Sequence, residues 1–383
     1  MARKAKLLFY SQYAFYRPLY RVYELVCERH GLDGSVITHE AAEVPRVYAP
    51  AGFLSPQSAG LDAPAANVTV LPKSLRADAA AQLLREKISA LDPDFLWVHE
   101  EPNNFFLTRM LRWFYFRRRP RIVAAVVENC WPVSASLGGR YAVFKRGLLW
   151  RRLDGVLASA SLSLEGVRRF GLPASVPSQV AWLPHLTPPS LNGRAPFLPV
   201  KEPGQIFVGF AGRITAAKGW RVLLEAMHRL PGEFQVLLAG GGEEEEDLRA
   251  ACAAGDLRGR ARVLGVLEKE NLWAFYRSLD VLVLPSVSTP QWTEQFGSVM
   301  AEAMACGVPV IGSSSGAIPE VLGGCGVVVP ENDAAALAQA IRELADDPQR
   351  CKALADKGRQ RFEEKFTIAR YAERVAAALG LQP

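Results

Sequence analysis

DVLVLPSVSTPQWTEQFGSVMAEAMACGVPVIG, residues 280–312, holds a strand, a loop, a helix and the next strand in one cycle. The first apolar run ends at Pro285, a polar loop follows, and Gly297-Ser298 opens a short helix that Gly307 and Pro309 close. Strand-length apolar runs continue on both sides of it: QIFVGFA, FQVLLA and ARVLG before, GVVV after, each separated by a segment of helical spacing. That alternation predicts a parallel sheet covered on both faces. The first half shows the same pattern with KLLFY, SVITH, NVTVL, DFLWVH, RIVAAVVE, DGVLAS and VAWLP. Both halves therefore read as doubly wound α/β, and 383 residues suit two domains of ordinary size. The Pro/Gly-rich stretch PPSLNGRAPFLPVKEPG reads as the linker between them and as a hinge. The expected division is 1–195, 196–368 and a terminal helix in 369–383 that packs back on the first domain. In sheets of this kind ligands sit beyond the carboxyl ends of the strands, so the residues just after each strand come first for inspection.

Two such places carry charge. In FVGFAGRITAAKGWRVLLEAM the strand ends at Ala211, and Trp220, Leu223, Leu224 and Met227 mark one apolar helical face. With Thr215 as cap, Lys218 falls in the first turn, where a cation opposes the helix dipole. Arg213 and Lys218 then stand beside open helix N–H groups, a suitable place for a diphosphate; the plain alternative is two solvated surface charges. The segment is not a P-loop, because no G-K-[ST] follows at the required spacing. In the second place Glu294 lies in the loop and Glu302, eight positions on, in the helix. Open N–H groups near Ser298 and Val299 suit a phosphate, a loop carboxylate suits sugar hydroxyls and a helix carboxylate suits a ribose. Taken one at a time, the two glutamates read better as an ordinary loop charge and an ordinary helix surface residue.

Together they resemble something specific. EQFGSVMAEAMACG, from Glu294 to Gly307, is similar to the E-x7-E motif of the retaining family 4 glycosyltransferases of GT-B fold, the glycosyl transferases group 1. GRITAAKG resembles that family's upstream G-R-x-x-x-x-K-G element, and VLGVLEKENLWAFYRSLDVLVLPS keeps its usual spacing between the two. The resemblance covers nearly all of residues 205–345. It implies two Rossmann-like domains facing a central cleft, closing over a nucleotide-diphosphate sugar as donor substrate. By the same likeness Arg213 and Lys218 bind the donor pyrophosphate, Glu302 binds the ribose, and Glu294 with the Phe296-Gly297 backbone holds the transferred sugar. The loop at Gly265-Val266 contacts the base, and the helix start at Ser298 and Val299 meets the phosphate. In the first half DFLWVHEEPNN places His99 after a strand, where family members often have a histidine facing the donor sugar. One departure is FYSQYAFYRPLY after the first strand, where many relatives carry a Gly-rich turn; Arg17 is a candidate to share that work. The implied reaction retains the anomeric configuration and transfers a hexose-like sugar to a hydroxyl acceptor, a glycan, glycolipid or small glycoside, with no metal and no other cofactor.

Composition bounds the alternatives. Hydrophobic residues at 49% and charged residues at 22% fit a globular protein. Six scattered cysteines without a C-x-x-C pair point to neither zinc nor a redox motif and fit a cytoplasmic location. The LLFY run near the start is far shorter than a secretory segment needs, and no stretch approaches the ~20 apolar residues of a membrane span. Asp92-Pro93-Asp94 imitates a D-x-D metal motif but sits where a turn before a strand belongs. Glu243 to Glu246 read as an acidic helix start. Residues 1–199 hold 25 Lys+Arg against 15 Asp+Glu, a net +10, and the remainder is net −4. No nucleic-acid reader motif accompanies that charge, and an anionic substrate explains it equally well. The basic, aromatic run RMLRWFYFRRRPR invites two readings. It docks peripherally at the inner face of an anionic membrane, where a lipid-linked acceptor is in reach, or it packs Leu111, Phe114 and Tyr115 inward with its arginines outside. Outside the transferases, a nucleotide-sugar epimerase or phosphorylase of the same fold, or a nucleic-acid or membrane binding module, are the competing functions.

Overall fold

The computed structural model describes residues 3–11, 17–39, 68–72, 77–99, 105–114, 120–127, 136–189 and 197–382. Contacts divide the chain into two compact units, and in the described residues the change falls between Pro184 and His185, with the chain returning to the first unit at Ile368.

The first unit contains β1 (Lys6–Ser11), α1 (Arg17–His30), β2 (Asp33–His39), β3 (Val68–Leu71), α2 (Ala77–Leu91), β4 (Phe95–His99), α3 (Phe105–Trp113), β5 (Arg121–Val126), α4 (Leu137–Trp150), β6 (Gly155–Ala158), α5 (Ser161–Arg169) and β7 (Ser178–Val180). Its strands form one seven-stranded parallel sheet in the order β3-β2-β1-β4-β5-β6-β7. The apolar runs become strands because both faces are covered: Leu8, Tyr10, Leu96 and Val98 point into one buried cluster, and Leu7, Phe9 and Trp97 into the other. The last strand lies earlier than VAWLP suggests. It is Ser178–Val180, and the chain leaves the ladder after Ala181 donates to the Ala158 carbonyl.

The second unit contains β8 (Ile206–Ala211), α6 (Trp220–His228), β9 (Phe234–Ala239), α7 (Glu245–Ala253), β10 (Ala261–Gly265), α8 (Lys269–Ser278), β11 (Val281–Leu284), α9 (Ser298–Ala305), β12 (Val310–Ser313), α10 (Ile318–Leu322), β13 (Val327–Val329), α11 (Ala334–Asp346) and α12 (Pro348–Lys365). Six parallel strands run β10-β9-β8-β11-β12-β13. Trp220, Leu223, Leu224 and Met227 are all buried, as their spacing requires. The last helix, α13 (Ile368–Ala378), packs on α1 and β6 of the first unit and buries Tyr371 and Val375 there. The GT-B expectation of two doubly wound parallel sheets is met. Each order reverses beside its first strand, at β1/β4 and at β8/β11, and such reversal points are where open α/β sheets bind ligands.

Several readings resolve as structure. Asp92 has φ +44, and the Asp94 carboxylate accepts the Lys6 backbone N–H at 2.9 Å, which ties the turn to β1. The acidic run opens α7, with Glu245, Glu246 and Asp247 in its first turn, and Glu244 accepts from Trp220 Nε1 at 2.7 Å. In α3 Met110 and Leu111 are buried and Phe114 packs against the same core, so its apolar side is used inward. Tyr115, Arg117, Arg118 and Arg119 lie outside the described residues, as do Glu100, Glu101 and the side chain of Arg17. No described helix is long and apolar enough to cross a membrane.

Candidate functional site

The loops after β8 and β11 meet at the reversal point of the second sheet. After β8 the chain does not enter α6 directly. Thr215 starts a single 3-10 turn over Ala216–Lys218 with no side-chain cap, Gly219 takes the left-handed conformation (φ +71), and α6 begins at Trp220. This corrects the placement of Lys218 in the first turn of α6: it precedes the helix, at the end of the tight turn and one residue before the Gly219 cap. The two loops are joined by a hydrogen bond from Val287 N to the Ala217 carbonyl, 2.8 Å.

That junction brings Lys218 to Glu294. The ammonium lies 2.7 Å from Glu294 Oε2, with only 16% and 5% of the two side chains exposed, and 4.9 Å from the centre of the Trp292 ring. Ser286 Oγ donates to the same carboxylate oxygen at 2.7 Å. Burial pushes the Glu294 carboxyl up, but Lys218, Ser286 and the Gln295 backbone together outweigh it and hold the group below the ordinary carboxylate range. The loop itself is fixed from behind: the Glu294 carbonyl accepts from Ala317 N at 2.9 Å, and Ser288 Oγ lies 2.9 Å from Ser315 Oγ and 3.0 Å from Thr293 Oγ1.

After the loop, Gly297 (φ +76) starts α9 with no side-chain cap, so the half-buried Ser298 and Val299 present the helix's first N–H groups. Glu302 is buried inside α9, 8% exposed, and accepts a 2.7 Å hydrogen bond from Tyr276 Oη of α8. Burial and the Glu302 charge push the Tyr276 phenol well above its ordinary value, which keeps it a donor. Arg213 is exposed in the loop after β8. Gly265 accepts from Gly240 N at 2.7 Å, and Val266, 49% exposed, follows it. Phe296 is core: it is 2% exposed, stacked on His185 at 5.5 Å and edge-on to Phe366 at 5.8 Å. Its side chain anchors the loop and leaves only its backbone for recognition. Tyr276 and Ser286 were not singled out from sequence. Tyr276 sits among the apolar residues of α8, where it reads as core, and its partner is 26 positions away. Among the described residues no group of three or more His, Cys, Asp or Glu gathers to hold a metal ion.

His99 belongs to the first unit, at the end of β4 and 3% exposed. Burial lowers its pKa to about 4, so the ring is neutral at physiological pH and serves as a hydrogen-bonding group rather than a cation. The unfolded chain protonates this histidine near pH 6.5 and the folded chain only near 4. Stability is therefore expected to fall as pH drops through that window, by about 3 kcal/mol in all. Urea titrations at pH 7 and 4.5 should show a smaller difference for His99→Gln than for the wild type; equal differences would assign the loss to other groups.

Comparison with known proteins places this geometry. Residues 196–361 match the family described as glycosyl transferases group 1. The 2-deoxystreptamine glucosyltransferase of Streptomyces kanamyceticus is 30% identical over 172 residues, 44% of this chain and 43% of that protein. The D-inositol 3-phosphate glycosyltransferase of Xylanimonas cellulosilytica is 34% identical over 165 residues, 41% and 38% of the two chains. The chain thus spans less than half the length of these curated relatives. Among solved structures, Anabaena HepE in complex with UDP has a TM-score of 0.72 at 17% identity, covering 99% of this chain and 100% of that one. A glycosyltransferase from Rickettsia africae ESF-5 has a TM-score of 0.75 at 15% identity, covering 99% and 98%. Likeness at that identity speaks for the fold, while the family match lies on the half that carries Lys218, Glu294 and Glu302, so residues 196–361 are similar to the glycosyl transferases group 1, in a chain of GT-B fold.

Proposed function

We propose that this chain is a retaining, metal-independent glycosyltransferase that moves a hexose-like sugar from a nucleotide-diphosphate sugar to a hydroxyl on a glycan, glycolipid or small glycoside. The observation that carries the reading is the buried Lys218–Glu294 pair at the β8/β11 reversal, beside the open start of α9. Breaking the bond from the sugar to the diphosphate gathers negative charge on the leaving group. An ammonium has three donor hydrogens, of which Glu294 takes one, so Lys218 can hold the departing phosphate while staying anchored. By the same reading Arg213 and the N–H groups of Ser298 and Val299 add positive charge for the departing phosphates. Glu294, ionised and oriented by Ser286, holds a hydroxyl of the sugar as it takes on oxocarbenium character. Glu302, held by Tyr276, takes the ribose hydroxyls, and the Gly265-Val266 backbone meets the base. His99, kept neutral by burial, is the first unit's candidate hydrogen-bonding group for the reaction. Among the structural neighbours, HepE is recorded with UDP and with UDP-glucose, which supports a uridine nucleotide as the first donor to try.

The test is a thermal-shift screen of nucleoside diphosphates and nucleotide sugars, since a ligand of the folded state raises the midpoint. A diphosphate is expected to raise it more than its 2′,3′-dideoxy analogue, and Glu302→Gln should narrow that gap. The nucleotide sugar that binds is then incubated with hydroxyl acceptors, and an α-linked product from an α-linked donor establishes retention. No shift with any nucleotide would sink the proposal. Conversion of the sugar without an acceptor would make the chain an epimerase instead.

A further inference from the structure

Helix α4 spends its apolar residues in an unusual way. Leu137, Tyr141, Phe144 and Leu148, at i, i+4, i+7 and i+11, form a single stripe, and they are 84%, 65%, 64% and 43% exposed. The opposite side holds the helix in place. Trp150 is buried and its ring lies 6.3 Å from Phe170; Arg146 donates to the Phe170 carbonyl at 2.7 Å with its guanidinium 3.5 Å from that ring's centre. Ser136 caps the start by accepting from Gly139 N. The stripe is therefore not needed to fold or fix α4.

Charge says what covers it. At 3.6 residues per turn, Arg140 and Arg151 fall along one edge of the stripe and Lys145 along the other, all three exposed. No acidic residue occurs between Glu128 and Asp154. A second copy of this face would set cations against cations on both edges, an arrangement that suppresses pairing. A nucleic acid would meet the cations but has no use for four apolar side chains between them. A helix with an apolar face bordered by cations on both sides is the form that lies in the plane of a bilayer interface, apolar face down and cations at the headgroups. Its 14 residues are too few to span.

We propose that the outward face of α4 docks the protein on an anionic lipid bilayer. The proposal rests on unit 1 alone and is independent of the glycosyl-transfer reading. It also moves the membrane contact from 109–121 to α4, because α3 has its apolar side in the core.

The experiment is co-sedimentation of the full chain with phosphatidylglycerol/phosphatidylcholine vesicles and with phosphatidylcholine alone. The wild type is expected to pellet with the anionic vesicles and to be released by high salt. Arg140→Gln/Lys145→Gln/Arg151→Gln should weaken binding by about fivefold per charge removed, roughly 100-fold together. Tyr141→Ser/Phe144→Ser/Leu148→Ser should abolish it at low salt as well. Both variants should keep the wild-type melting midpoint and any nucleotide-induced shift, which separates this surface from the site in the second unit. A wild type that stays in the supernatant with both vesicles, or pelleting unaffected by the stripe substitutions, overturns the proposal. So does a dimer in sedimentation velocity that the stripe substitutions split while vesicles go unbound.

Discussion

Lys218→Ala is expected to lower sugar transfer by about 100-fold or more and, at the same time, to destabilise the second unit by about 3 kcal/mol. The first effect follows from removing a fixed cation aimed at the leaving group. The second follows from what is left behind, since Glu294 is 4% exposed and Lys218 is its only charged hydrogen-bond partner among the described residues. Without the ammonium, burial is the dominant influence on the carboxyl and raises its pKa, with Ser286 and the Gln295 backbone pulling the other way. The pH dependence should then change sign. In the wild type a depressed Glu294 pKa contributes stability above the ordinary carboxylate range, and that contribution is lost as pH falls through the folded pKa. In Lys218→Ala a raised pKa makes this group's contribution fall as pH rises through and above the ordinary carboxylate range. Lys218→Met/Glu294→Gln removes both charges and should regain most of the lost stability while recovering none of the activity. Chemical denaturation at pH 7 and 4.5, with turnover at saturating donor, checks all of this. A single variant as stable as the wild type at pH 7 would show that the two groups are not paired in solution, and a double variant with normal turnover would remove both from the reaction.

Much of this molecule could be read from its sequence, for an identifiable reason. Strands of a parallel sheet covered on both sides must be apolar throughout, so QIFVGFA, FQVLLA and DVLVL show themselves without any partner being known. The helical face of Trp220, Leu223, Leu224 and Met227 is legible in the same way, because burial on one side imposes a period. What escaped depends on contacts between distant positions or on single backbone angles. Gly219 stops the turn after β8 by taking a left-handed conformation, and nothing in AAKGW distinguishes that from a helix already begun at Thr215. The hydroxyl of Tyr276 belongs to the site only because α8 lays it against Glu302. On α4 periodicity misleads outright: the spacing of Leu137, Tyr141, Phe144 and Leu148 is that of a core face, yet the core lies on the side of Trp150. The candidate site is legible in its motif residues and hidden in the residues that hold them.

Gly219→Ala should cripple the protein although it touches no group that meets a substrate. The residue stands at φ +71 and ψ 21, a conformation that costs a side-chain-bearing residue about 1–2 kcal/mol, and it is buried. A Cβ there would come 1.8 Å from the Pro285 carbonyl oxygen and 2.7 Å from its carbon. Those atoms are backbone at the end of β11, so no rotamer change relieves the overlap; the two loops must separate. Overpacking of this kind adds about 1–3 kcal/mol, and a total near 3 kcal/mol is expected. Separation also pulls at the 2.8 Å bond between Val287 and Ala217 and at the 2.7 Å contact between Lys218 and Glu294. Turnover should therefore drop as far as it does in Lys218→Ala, with both charged groups still present, since a displacement of about 1 Å at a reacting centre is enough for a 100-fold loss. Gly232→Ala is the control, because a Cβ there meets nothing within 4 Å, and it should melt and turn over like the wild type. If Gly219→Ala keeps full activity despite its lower midpoint, the close approach of the two loops is a matter of folding alone. If activity and midpoint fall together while Gly232→Ala is silent, the glycine is there because the cation and the carboxylate can meet only where two backbones touch.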